Sequence, residues 1–218
     1  MLYAMKLFSL FIIYSFIGWI IEVGLAIIKE KKFVNRGFLI GPIVPIWGSG
    51  AILITLVLSK SDSLISLVLS SAVIASFLEY VVNYLMELFF KARWWDYSHL
   101  PFNLNGRIWV GSALVFGIGG LVVINYGNPF FLRILNLLND NVLMIIDLVI
   151  IIVLITDICV SCNVISKLKL SAESLRKDYT DEISVKVKNV LSENSKNFKR
   201  LLKAFPDVRF NFLNRKNK

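Results

Sequence analysis

The sequence predicts an all-α fold: a polytopic membrane helix bundle with five transmembrane helices and a cytoplasmic amphipathic helical tail. Of its 218 residues, 56% are apolar and only 18% are charged, against about 45–50% and about 25% in soluble domains. The mean hydropathy is +0.69. Apolar runs recur at the length of about 20 helical residues that a bilayer core of about 30 Å requires. These observations exclude a soluble globular domain.

The predicted transmembrane domain covers residues 1–166. Its five spans, in chain order, are 7–28, 37–59, 63–90, 108–126 and 142–166. A secretory signal peptide would have a shorter apolar core followed by small residues at a cleavage site. The first run is long enough to span and leads directly into Lys29, so we expect it to remain as a membrane helix.

The second span differs from the others because proline and glycine are concentrated in its first half. Residues 37–50 contain two prolines, Pro42 and Pro45, and four glycines. Proline removes a backbone donor and clashes with the preceding turn, so we expect a kinked or broken helix here. Broken membrane helices tend to line binding sites. A simple kink that lets helices pack closely is the alternative.

The distribution of basic residues predicts the orientation. With five spans, 21 of the 24 Lys and Arg residues fall on one side of the membrane and three on the other. Cytoplasmic loops collect Lys and Arg, so we expect a multi-pass plasma-membrane protein with its amino terminus outside and its carboxyl terminus in the cytoplasm. The net charge of +9 does not indicate a nucleic-acid partner, because the basic residues lie in loops and a tail between apolar runs.

The tail, residues 167–218, is basic and polar, with apolar residues at roughly helical spacing. This pattern predicts one or two amphipathic helices that end before Pro206. We expect them to pack on the cytoplasmic face of the bundle or to lie along anionic lipid. A partner-binding role for the tail is the alternative.

Five of the 15 acidic residues lie inside predicted spans: Glu22, Glu79, Glu87, Asp147 and Asp157. A charged side chain at the centre of a membrane helix costs at least about 2.5–3.5 kcal/mol, so these groups must be protonated, cation-bound or paired. The i, i+4, i+8 spacing of Glu79, Asn83 and Glu87 places them on one helix stripe. The stripe predicts either interhelical hydrogen bonds that hold the bundle together or a functional pocket.

The loop at 91–107 contains the aromatic residues Trp94, Trp95 and Tyr97, two arginines and the only histidine of the chain. Its aromatic residues suit the headgroup zone, whereas Asp96, Asn103, Asn105 and Arg107 indicate a folded cap over the cytoplasmic mouth of the bundle. We therefore predict one cytoplasm-facing, substrate-binding site. Its predicted residues are Glu22, Asn35, Arg36, Glu79, Asn83, Glu87, Trp95, Asp96, Tyr97, Asn103 and Arg107.

No motif in the sequence indicates catalysis, a metal or a cofactor. The phosphate-binding pattern G-x-x-x-x-G-K-[ST] is absent, so ATP-driven activity would require a separate ATPase. His99 has no His or Cys cluster around it with which to bind zinc. Cys159 and Cys162 have redox-motif spacing but lie in a membrane span, where small buried residues or palmitoylation sites are the better interpretation.

Several short motifs resemble those of a family of bacterial membrane proteins, the ABC-transporter type IV family, whose members are described as ABC transporter permeases. The matching residues are Gly18, Trp19 and Glu22; 35–39; Gly41 and Pro42; Pro45 and Ile46; 78–80; Glu87; 94–98; Phe102 and Asn103; Gly106 and Arg107; and, in the tail, 200–202 and 204–206. The resemblance implies a permease-like membrane subunit with a separate ATPase subunit as partner.

Three functions fit these observations. The first is a permease-like transmembrane subunit of an ABC-type transporter, in which substrate or protons meet Glu22, Glu79 and Glu87. The alternative is an intramembrane enzyme or lipid-handling protein at the cytoplasmic interface, with Arg36 and Arg107 holding an anionic headgroup. The third is a scaffold that docks partners through the tail. The lipid bilayer is a partner in each case, and forming a pore from five short helices would call for a homodimer.

Overall fold

The structure, a computed structural model, describes residues 2–59, 63–178, 196–205 and 208–210. It confirms the all-α fold. Seven α-helices occur in this part of the chain: α1 (Leu2–Glu30), α2 (Pro45–Val57), α3 (Leu64–Phe90), α4 (Val110–Val122), α5 (Asn128–Leu135), α6 (Asp140–Asp178) and α7 (Lys196–Ala204). A π-helical turn, Val123–Gly127, joins α4 to α5. Four two-residue strands complete it: β1 (Ala92–Arg93), β2 (Asn103–Leu104), β3 (Ile108–Trp109) and β4 (Arg209–Phe210).

Four helices in the described residues are long and apolar enough to cross a membrane: Leu2–Glu30, Leu64–Phe90, Val110–Leu135 and Asp140–Leu168. The described residues thus contain one such helix fewer than the five that the sequence predicts. The exception is the predicted span 37–59, of which only Pro45–Val57 is helical. Thirteen residues at about 1.5 Å each give a helix of about 20 Å, shorter than a bilayer core.

The break in the second span lies where proline and glycine predict it. Residues 31–44 are not helical, and α2 begins at Pro45, without a side-chain cap on Val44. Proline suits the first turn of a helix because its missing N–H would have no partner there. The prediction of a broken helix in this half of the span is confirmed.

The short helix α2 packs antiparallel on the first half of α1. The Val44 N–H donates to the Ser15 carbonyl over 3.0 Å, so α2 begins beside the middle of α1. Two glycines bring the helices together: a Cβ on Gly18 would overlap the Trp47 ring, and one on Gly48 would overlap Ser15 and the backbone of α1. Residues 31–44 therefore return from the end of α1 to its middle as irregular backbone.

Side chains distant in sequence bind the peptide groups of this irregular stretch. Asp157, on α6, accepts hydrogen bonds from the Ile40 and Gly41 N–H groups over 2.9 and 2.7 Å. Arg200, on α7, donates to the carbonyls of residues 37, 38 and 39 over 2.9, 3.3 and 2.9 Å. Irregular backbone within a membrane protein requires such partners, because hydrocarbon supplies none.

The tail helix α7 docks on one end of the bundle. Its buried face, Phe198, Leu201 and Ala204, packs with residues of α6 and of the loop after α3, including Trp94 and Ile165. Strand β4 pairs with β1 beside it. The predicted amphipathic helix before Pro206 is thus confirmed, whereas residues 179–195 lie outside the described part of the tail. We call the end formed by 91–109 and α7 the cap end.

The loop between α3 and α4 is folded. Strands β2 and β3 form an antiparallel hairpin with Asn103 opposite Trp109. Its turn contains Asn105 and Gly106, both at positive φ. A side chain at Gly106 would be strained and would overlap Ser98 and Asp96, so the turn requires glycine. The prediction of a folded cap at 91–107 is confirmed.

Candidate functional site

Glu79 is a buried carboxyl group where three elements meet. It projects from α3 and is only 5% exposed. The Tyr97 hydroxyl of the cap loop lies 3.2 Å from its Oε1 and donates to it. The hydroxyl of Ser112, in the first turn of α4, lies 3.3 Å from its Oε2. The helix that carries the acidic stripe, the cap and the following helix therefore converge on one carboxyl group.

The hydrogen bonds of the Ser112 hydroxyl bear on whether Glu79 is protonated. Ser112 Oγ lies closer, at 2.8 Å, to the Trp109 carbonyl, to which it donates. A hydroxyl carries one proton, so a second full hydrogen bond from Ser112 to Glu79 is excluded. A protonated Glu79 would instead donate to Ser112 Oγ. The geometry thus suits a carboxyl group that takes up a proton.

Glu22 brings a second carboxyl group to the same place from α1. It is half-buried and lies near the side chain of Trp47, in the first turn of α2. Glu22 also interacts electrostatically with Glu79 and with Tyr97. Two negative charges repel in a low-dielectric interior, so this arrangement favours a proton or a bound cation. We call Glu22 and Glu79 the carboxyl pair.

Tyr97, in the cap loop, contacts the carboxyl pair through its hydrogen bond to Glu79. Burial, reinforced by the negative charges of Glu79 and Glu22, raises the pKa of Tyr97 above its ordinary value. Its hydroxyl therefore stays a hydrogen-bond donor to Glu79 at all physiological pH values. The backbone holds the residue in place, because its N–H donates to the Gly106 carbonyl over 2.8 Å.

The rest of the acidic stripe is bound by Arg107. One guanidinium nitrogen donates to Asn83 Oδ1 over 2.5 Å, and another lies 2.7 Å from Glu87 Oε2. The guanidinium also lies over the rings of Tyr80 and Tyr84, 5.6 and 5.4 Å from their centroids. Both Arg107 and Asn83 are buried. This charged cluster fixes the cap to α3. The guanidinium of Arg107 is already bound by Asn83 and Glu87.

Other predicted site residues shape the cap loop. Trp95 donates its indole N–H to the Arg107 carbonyl over 3.2 Å. Asp96 accepts from the Ser98 N–H over 3.0 Å and lies 3.5 Å from Arg93. Asn103 accepts from the Gly106 N–H over 2.8 Å. These bonds lie within or beside the loop, so the residues position Tyr97 and Arg107.

Asn35 and Arg36 lie apart from the carboxyl pair. Asn35 accepts from the Trp19 indole over 2.8 Å and donates to the Ile40 carbonyl over 2.9 Å, which shapes the irregular stretch. Arg36 forms a salt bridge of 2.7 Å with Glu30. It acts on Glu22 through charge alone. The structure thus brings nine of the eleven predicted site residues to the cap and the carboxyl pair, and these two organise the neighbouring backbone.

Sequence reasoning missed four residues that contribute to these sites. Ser112 and Trp47 reach the carboxyl pair, and Asp157 and Arg200 bind the irregular stretch. Ser112 is a hydroxyl residue at the start of an otherwise apolar span, and Trp47 lies in the glycine-rich and proline-rich segment, so both carried a local signal. Asp157 was recognised only as an acid without a basic partner, which is consistent with its binding N–H groups. Arg200 begins one of the tail motifs that carry the family resemblance, but no local pattern indicates its partner.

Within the described residues, no group of three or more His, Cys, Asp or Glu side chains could hold a metal ion. Cys159 and Cys162 are free thiols. The carboxyl pair has two such groups and is therefore suited to a proton, a monovalent cation or a cationic group of a substrate.

Comparison with known proteins gives one match, to a family. No curated protein and no solved structure matches the chain. The family model described as Putative ABC-transporter type IV matches residues 9–162. This range includes the carboxyl pair, the broken second span, the cap loop and Asp157. Because the match covers well over half of the chain, this membrane protein belongs to the Putative ABC-transporter type IV family.

Proposed function

We propose that this chain is the permease-like transmembrane subunit of an ABC-type transporter, and that the carboxyl pair is its polar, cytoplasm-facing site. Membership of the family supports a role in transport. The observation that carries the proposal is the position of Glu22 next to Trp47, in the first turn of α2. A movement of the short helix would change the surroundings of the pair directly.

A helix that begins inside the bundle suits a transport site for a further reason. The first N–H groups of a helix lack partners within it and give that end a partial positive charge. In transporters, interrupted helices bind substrates or ions with such ends. In this chain the first turn of α2 lies beside Glu22, so a bound substrate or proton would replace one favourable partner of Glu22 with another.

The ligand class follows from the charges in the site. Of the three glutamates in the predicted site, Glu87 is bound by Arg107 and Arg93. The groups beside Glu22 and Glu79 are mainly neutral: Trp47, Tyr97 and Ser112. We therefore assign ligand binding to the carboxyl pair and a supporting role to the other predicted residues. The ligand would be a proton or a substrate with a cationic group.

The proposal includes an orientation, in which the cap end faces the cytoplasm. The cap end carries exposed lysines on several elements, including Lys31, Lys91, Lys199 and Lys203. Excess basic charge is typical of the cytoplasmic side. We therefore place the cap and α7 in the cytoplasm, where a separate ATPase subunit would bind. This orientation directs the carboxyl pair toward the cytoplasmic mouth.

The lipid-handling alternative depends on Arg36 and Arg107 for an anionic headgroup. Both guanidinium groups contact carboxylates instead, Arg36 with Glu30 and Arg107 with Glu87. A phosphate would have to displace these partners. We therefore keep this function only as an outcome of the experiment below.

The experiment is affinity purification of the intact protein in mild detergent, with mass spectrometry of the co-purifying proteins and lipids. We expect an ATPase subunit at near-stoichiometric amount. In vesicles containing the complex, Glu79→Gln should lower transport-coupled ATP hydrolysis by about tenfold, which corresponds to about 1.4 kcal/mol. The matched control is Glu30→Gln, which removes an exposed carboxylate of α1 and should leave the rate unchanged.

Two results would contradict the proposal. Intact protein that retains one specific lipid and binds no ATPase would favour the lipid-handling function. Equal rates for the parent protein and Glu79→Gln would remove the carboxyl pair from the transport path while leaving the subunit assignment in place.

A further inference from the structure

The irregular stretch before α2 presents a cluster of carbonyl oxygens to a single side chain. The carbonyls of Gly37, Phe38 and Leu39 all accept from the guanidinium of Arg200, at 2.9, 3.3 and 2.9 Å. Three successive carbonyls cannot converge in this way in a strand, where they alternate in direction. The stretch is therefore shaped around the group that it binds.

Asp157 gives the cluster its negative charge and its shape. Its carboxylate accepts from the next two N–H groups, those of Ile40 and Gly41, and from Ser161 over 2.9 Å. It also interacts electrostatically with Arg200. Carbonyl oxygens beside a carboxylate form a site for a cation, and the planar guanidinium with its forked donors can reach several acceptors at once.

The cation in this site comes from a separate element. Arg200 lies on α7, a nine-residue helix, which is too short to be stable in isolation. Besides Arg200, the apolar face of α7, Phe198, Leu201 and Ala204, is buried against the bundle. Burial lowers the pKa of Arg200 below its ordinary value, and the charge of Asp157 opposes this effect.

We propose that the Gly37–Leu39 carbonyls and Asp157 form a guanidinium-binding site, and that α7 fills it with Arg200 as a tethered, displaceable ligand. Occupancy couples the tail helix to the broken second span: with Arg200 bound, residues 37–41 are fixed and α2 begins at a defined place. With the site vacant, three carbonyls lose their partner and the stretch rearranges. The ligand class of the site is a guanidinium group.

This inference does not rest on the proposed function. It concerns residues outside the carboxyl pair, and it holds whether the chain transports, binds lipid or docks a partner. Its readout is the accessibility of residue 39, and needs no substrate or ATPase.

The experiment measures maleimide labelling of a cysteine at position 39. Leu39 is 1% exposed, and Cys159→Ser with Cys162→Ser removes the two native thiols. In this background, Leu39→Cys should label slowly. Adding Arg200→Ala should raise the labelling rate by about tenfold or more, since even one lost hydrogen bond to a charged group corresponds to roughly that factor. Lys199→Ala, an exposed neighbour on α7, is the matched control and should leave the rate unchanged.

Chemical rescue tests the ligand class. Millimolar guanidinium chloride, below any denaturing concentration, should restore slow labelling to the Arg200→Ala protein, and ammonium chloride at equal ionic strength should not. Labelling of the Arg200→Ala protein at the parent rate would contradict the proposed coupling between α7 and residues 37–41. Fast labelling of the Arg200→Ala protein that guanidinium does not slow would contradict the proposed guanidinium-binding site. If Arg200→Ala does not fold, Arg200→Lys serves in its place: it keeps the charge but loses the fork, and the same two outcomes apply.

Discussion

The two halves of the second membrane segment are held in place by different forces. Residues 31–44 are not helical, and Asp157, Arg200 and Asn35 bind several of their peptide groups. The helix α2 satisfies its own backbone and depends on the close approach to α1 that Gly18 and Gly48 permit. One half therefore needs specific charged and polar partners, whereas the other needs only a matching shape.

This difference applies to the whole cap end. There, charged and polar side chains fix irregular backbone, as in the Arg107 cluster. At the opposite end, Leu10, Ala51, Leu135 and Leu143 form an apolar cluster between helices. Replacing a polar partner leaves a buried group unsatisfied, which costs more than a modest change in packing. Substitutions in the two regions should consequently cause losses of stability of different size, and they are given below from the largest to the smallest.

The largest effect should come from Arg107→Gln. This change removes the closer of the two arginine contacts of Glu87, leaving the Arg93 contact of 3.4 Å, and it removes the charged partner of Asn83. Breaking a buried charged pair by removing one partner costs about 3–5 kcal/mol. Thermal unfolding in detergent, followed by size exclusion, should show it. The control is Arg36→Gln, whose pair with the half-exposed Glu30 should contribute about 0–1 kcal/mol. Equal losses for the two variants would contradict the role of the Arg107 cluster.

The next effect should come from Asp157→Ala, which acts on the irregular half of the second segment. It leaves the Ile40 and Gly41 N–H groups without an acceptor, at about 1–3 kcal/mol for each unsatisfied group. The same unfolding assay measures it. Ser161→Ala removes one of the groups that donate to Asp157 and keeps the acceptor, so it should cost about 1 kcal/mol or less. A neutral Asp157→Ala would show that lipid or water replaces the carboxylate.

The helical half is tested by Gly48→Ala. The added methyl group would overlap Ser15 and the Phe11 carbonyl, and overpacking of this kind costs about 1–3 kcal/mol. Gly24→Ala is the matched control in the facing helix α1, because nothing lies within 4 Å of its Cβ position. It should be neutral or slightly stabilising, since alanine is the better helix former by about 1 kcal/mol. A stable Gly48→Ala protein would mean that α2 shifts without cost.

The smallest change in stability should come from Glu79→Gln, although it removes one carboxyl group of the carboxyl pair. The amide keeps the shape of the side chain and an acceptor for Tyr97, so we expect a change within about 1 kcal/mol. The infrared carbonyl band of protonated carboxyl groups should lose intensity in this variant and keep it in Glu30→Gln. An unchanged band in Glu79→Gln would show that Glu79 is ionised.

Much of the fold follows from the sequence because it depends on local composition. Hydropathy identifies the four long helices, and the residues around Pro42 and Pro45 identify the break. The length of α2 does not follow, because an apolar run has the same composition whether it is helical or extended. The helix period places Glu79, Asn83 and Glu87 on one stripe, and this stripe does meet the cap.

The remaining site contacts depend on the tertiary fold. Asp157 and Arg200 reach residues 37–41 across more than 100 residues of sequence, and no local pattern encodes such a pairing. Asn35 and Arg36 belong to the motif 35–39 that carries the family resemblance, but their partners Ile40 and Glu30 lie nearby in sequence. Membership of a motif was therefore a weaker guide to the site than a shared helix face.

The Arg200 contact also has a consequence for biosynthesis. It joins residues 163 positions apart, and a ribosome adds about 5–20 residues per second. The carbonyls of residues 37–39 are therefore made roughly 8–30 s before their partner emerges. During that interval the first helices are already entering the bilayer, so this stretch must remain at the aqueous interface or within the insertion machinery. Assembly of the second segment is thus completed late, after the last long helix has been made.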